Sequence, residues 1–124
     1  MAGVPVEFDG NIEHVIITPA ENVSITRWYE RKIGHIVILD IGLKIADGVT
    51  LPGQAAALFS VSDNAKPSAD IDTTAHSDYG PVDPSGNYES KPHFFVMGSN
   101  GIFATKTGSL NFKGNVYVKL VYAV

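Results

Sequence analysis

The stretch RWYERKIGHIVILDIGLKI, Arg27–Ile45, carries the reading of the fold. From His35 onward the residues Val37, Leu39, Ile41, Leu43 and Ile45 recur at every second position, so in an extended chain they share one face. A helix would need its apolar residues three and four apart. The second half of the opposite face carries Asp40, Gly42 and Lys44, as a half-buried strand requires. The first half does not: Ile36 and Ile38 make that face oily as well. A two-layer sandwich buries one face of each strand, so these isoleucines need a second cover. Either a loop or the N-terminal arm of the same chain supplies it, or another subunit does, which makes Ile36 and Ile38 the candidate oligomer contacts.

The same two-residue period extends outward from this stretch. His14–Thr18 and Val23–Arg31 read as strands before it, with a slip in pattern near Trp28 that suggests a bulge, and Gly34 divides the second strand from the next. Beyond it DGVTLPG (Asp47–Gly53) is turn material, AAALFSV (Ala55–Val61) a strand, and SDNAKPSAD (Ser62–Asp70) a loop. HFFVM and GIFATK form a hairpin around Gly98–Gly101, Leu110 and Phe112 suggest another short strand, and NVYVKLVYAV closes the chain. So apolar a closing strand belongs inside a sheet. About eight short strands without helical periodicity predict an all-β domain, an antiparallel β-sandwich or jelly roll, with an up-and-down barrel as the alternative. Residues 1–12 read as an arm or linker from a longer chain and 13–124 as the sandwich.

Composition excludes several functions. A net charge of −4, with nine basic residues scattered along the chain, opposes a nucleic-acid backbone. The absence of cysteine removes disulfides, thiol catalysis and cysteine-held metals together. MAGVPVEFDGN has neither the basic start nor the apolar run of a signal peptide, and no stretch is apolar for long enough to span a membrane as a helix.

The polar segment TTAHSDYGPVDPSGNYESKP, Thr73–Pro92, reads as a long loop, and long loops in compact domains are often functional. His76, Asp78, Tyr79, Asp83, Asn87 and Tyr88 within it combine aromatic faces with short polar groups, the mixture that a saccharide site uses. A solvated loop whose tyrosines pack on its own backbone accounts for the same composition. Asp70, Asp72, Asp78 and Asp83 do not have the spacing of an EF-hand calcium loop, and His14, His35, His76 and His93 are dispersed, so no metal or other cofactor is expected. No nucleophile elbow or phosphate loop is present. Asp78 and Asp83 could act as glycosidase acid and base, but any acidic loop supplies two carboxylates, and catalysis is disfavoured. Trp28 reads as a core or interface anchor.

The order RWYERKIGHIVILDIGLKI, DGVTLPG, NAKP, HFFVMGSNGIFATK and NVYVKLVYAV resembles the C-terminal head, or tip, domains of bacteriophage tail-fibre and baseplate receptor-binding proteins. The resemblance runs from Glu13 to Val124, and the segment before HFFVM is longer than the pattern requires. It implies a homotrimer of β-sandwiches in the virion, attached to other tail or baseplate proteins. Such a tip recognises a host-surface glycan or other receptor. A structural fibre or decoration protein and a carbohydrate-active enzyme are the alternatives.

Overall fold

The computed structural model describes residues 12–52, 56–77, 81–82, 93–107 and 111–124. Strands dominate them, with one short 3-10 helix at Asp63–Ala65. In one layer β1 (Ile12–Glu13), β3 (Val23–Ile33), β4 (Ile36–Ile45) and β11 (Asn115–Ala123) lie side by side. The other contains β8 (His93–Met97), β9 (Ile102–Thr107), β5 (Ala57–Val61) and β2 (Ile17–Pro19). β6 (Ile71–Ser77) belongs to both, because Ile71–Ala75 pair with β8 while His76 and Ser77 pair with Tyr117 and Val116. A strand that changes sheets in this way makes a corner of the sandwich. β7 (Pro81–Val82) and β10 (Asn111–Phe112) form a separate antiparallel pair. All pairings among the described residues are antiparallel, so the all-β sandwich expected from the alternation is the fold.

The strand order corrects the alternative. In an up-and-down barrel each strand neighbours the next in sequence, whereas here β11 lies between β4 and β6. Its apolar character places it there. Val116, Val118, Leu120 and Tyr122 face inward opposite Leu43, Ile41, Leu39 and Val37, and all eight are buried. The second layer meets them with Phe59, Phe103 and Phe95, whose rings stack at centroid distances of 4.9 and 5.1 Å. Burying each such side chain contributes about 1.5–3 kcal/mol, so the two inner faces hold the layers together. Tyr122 adds a polar tie: its hydroxyl donates to the Ala65 carbonyl oxygen at 2.6 Å, and burial pushes its pKa up to about 12.

Several boundaries differ from the sequence reading. The first strand does not run from His14 to Thr18; Ile12 and Glu13 are already paired with Ile33 and Lys32, and β2 begins at Ile17. Residues 14–16 cross between the layers because side chains, not a neighbouring strand, take up their backbone groups. The buried Glu30 carboxylate accepts from the Val15 N–H at 2.5 Å, and the Ser62 hydroxyl accepts from the Ile16 N–H at 2.9 Å. Asn64 donates to the His14 carbonyl at 3.0 Å. The segment read as a loop from Thr73 is strand through Ser77, because β6 pairs on both sides there.

Candidate functional site

Ile36 and Ile38 face outward, on the side of the first layer away from the core. Ile36 is 41% exposed, Ile38 is half-buried, and Val121, which lies opposite Ile38 in register, is 65% exposed. These three form an apolar strip at the end of the face nearest the Gly34 turn. Gly34 occupies the first position of that two-residue turn with φ +59°, the left-handed value a tight hairpin needs.

Farther along the same face the side chains become polar and aromatic. Lys119 lies opposite Asp40, and Tyr117 opposite Gly42. On the other flank Tyr29 lies opposite Asp40, and Arg27 opposite Gly42. A register shift between Ile25 and Arg27 turns β3 locally, so Arg27 lies over the sheet and donates to the Asp40 carboxylate at 2.9 Å. Gly42 makes that position possible: a Cβ there would stand 2.8 Å from the Arg27 Cβ and 2.9 Å from the Thr26 Oγ1. The Arg31 guanidinium rests 5.2 Å from the centre of the Tyr29 ring and curls around the strand edge to the Glu30 carbonyl. Lys119, by contrast, has no side-chain partner among the described residues.

Two shallow depressions lie side by side on this surface. One, of about 360 Å³, is bounded by Arg27, Asp40, Thr74, Ala75, Tyr117 and Lys119. The other, of about 300 Å³, runs from Tyr29 past Asp40 and Lys119 to Ile38 and Val121. A third, of about 440 Å³, sits at the end of the sandwich between the turn after β4 and the start of β11. Its wall is largely turn residues, and Lys113 and Asn115 there already have partners.

Of the residues singled out in the sequence, His76 lies in β6, paired with Tyr117, rather than in a loop. Asp78, Tyr79, Asp83, Asn87 and Tyr88 lie outside the described residues. Asp70 accepts from the Ser99 N–H at 2.8 Å, and Asp72 pairs with Lys106. Trp28 is no core anchor: it is 54% exposed in β3, and lines neither face depression. Sequence reasoning missed Arg27, Tyr29, Asp40, Tyr117 and Lys119, which come together only through the pairing of β3, β4 and β11. The one signal available was that the polar positions of β4 and of β11, Asp40 and Lys44 in the first and Asn115 and Lys119 in the second, each keep the two-residue period of their strand.

No protein-family model matches this chain, and no curated protein matches it either.

Proposed function

We propose that the chain is a non-catalytic binding module, the head domain of a bacteriophage tail-fibre or baseplate receptor-binding protein. It associates as a trimer and adheres to a saccharide on the host surface. One observation supports the association: the strip of Ile36, Ile38 and Val121 stands on the outside of a sheet whose inner face already holds the core, while the head-domain reading rests on the sequence resemblance. Covering that strip with another copy removes apolar surface from water, and closure around a threefold axis lets every copy bury its strip without open-ended growth. Three weak saccharide sites on one rigid assembly then hold a surface by avidity.

Sedimentation at micromolar concentration tests the association. The wild-type chain is expected to run as a trimer, and Ile36→Glu combined with Val121→Glu as a folded monomer. A monomeric wild type overturns the association. Adsorption to host cells and binding to a glycan array test adhesion. The same strip also suits a virion component whose only role is assembly; a folded trimer that adsorbs to nothing would establish that second reading instead.

A further inference from the structure

We propose that the outer face of β4 and β11, between Tyr29 and Tyr117, binds an anionic saccharide. Lys119 receives its acidic group and Asp40 accepts hydrogen bonds from its hydroxyls. This rests on the reading of the chain as a saccharide-binding module, and places the site on the sheet rather than in the polar segment after β6.

Shape is the first argument. The two depressions on the face share Asp40 and Lys119, so one extended ligand can run through both. They are open and shallow, as suits a chain of sugar rings lying along a surface. Tyr117, 36% exposed, walls one depression, and Tyr29, 45% exposed, walls the other. Aromatic faces pack against the C–H side of a sugar, while a carboxylate and a hydroxyl such as that of Thr74 meet its polar edge.

Charge then selects the class of sugar. Arg27 and Asp40 satisfy each other at 2.9 Å, which holds the carboxylate in place with its second oxygen available. Lys119 remains as an unmatched cation beside them, while Lys44 on the same face is paired with Asp47 at 3.8 Å. With those pairs matched, Lys119 leaves the two depressions one positive charge in excess, although the chain as a whole carries −4. A neutral sugar leaves the ammonium unanswered. A carboxylate or a phosphate on the sugar answers it equally well, and the class named is their shared chemistry.

The test is a glycan array of neutral, carboxylated and phosphorylated saccharides, probed with the full chain and with Lys119→Gln and Tyr29→Ala, both exposed substitutions. Carboxylated or phosphorylated members, or both, are expected to bind. Lys119→Gln should weaken them about tenfold and flatten their salt dependence, since it removes one charge-assisted contact. Tyr29→Ala should weaken them without changing the salt dependence. Binding confined to neutral saccharides, or anionic binding that neither variant alters, overturns this site while leaving saccharide adhesion intact. Silence across the whole array overturns both.

Discussion

Glu30 shows how one side chain can organise a segment. Its carboxylate is buried, yet accepts from the Val15 backbone and from His14 Nδ1 at 3.0 Å, and so fixes the crossing between β1 and β2. Glu30→Ala should cost about 1–3 kcal/mol in urea unfolding, because it leaves the Val15 N–H without an acceptor. Glu30→Gln should cost less, since an amide oxygen can still accept. Tyr122 makes a pH-dependent contribution. Its folded pKa stands near 12 against an ordinary value of 10, so between those values the folded chain holds a proton that the unfolded chain releases. Stability is therefore greatest below pH 10 and falls as pH rises toward 12. Tyr122→Phe should flatten that fall, while lowering stability at pH 8 by about 1 kcal/mol through the lost bond to Ala65. Chemical denaturation of both proteins across this range checks the sign.

At the scale of the element, β3 and β4 depend on a close approach that a single methyl would spoil. Gly42→Ala should destabilise the chain by about 1–3 kcal/mol, because the new Cβ meets the Arg27 Cβ and the Thr26 hydroxyl, neither of them the far end of a flexible chain. The same change should displace Arg27 from Asp40, visible as altered side-chain chemical shifts for both. In the second layer, Phe103 stacks between Phe59 and Phe95 across three neighbouring strands. Phe103→Ala should cost about 3–5 kcal/mol in the same unfolding measurement, the upper range of core truncations.

On the scale of the whole molecule, the outer face divides into an apolar strip and a charged, aromatic surface beside it. Self-association through the strip would leave the second depression, which reaches Ile38 and Val121, at the margin of the contact. Val121 borders both, so the clean separation runs one way: a change at Lys119 should leave association intact. Lys119→Gln is expected to change ligand binding but not the sedimentation coefficient, and Ile36→Glu with Val121→Glu to change sedimentation while the chain stays folded, since neither residue belongs to the core; unfolding of the double variant should lose the dependence on protein concentration that association gives the wild type.

Alternation in Arg27–Ile45 and Asn115–Val124 was enough to establish strands, their inward faces and the interior position of the closing strand. Side-chain period is a property of local backbone geometry, legible without knowing the partners. It also placed Ile36 and Ile38 together on the face away from the core. Only the tertiary structure decided which distant residues share a surface. Asp40 and Lys119 stand far apart in sequence and meet because nine pairs between β4 and β11 set one register, and a slip of one residue would send all these side chains to the opposite faces. The burial of Glu30 and the strand character of Thr73–Ser77 were hidden for the same reason: each depends on backbone groups contributed from elsewhere in the fold, which no local pattern encodes.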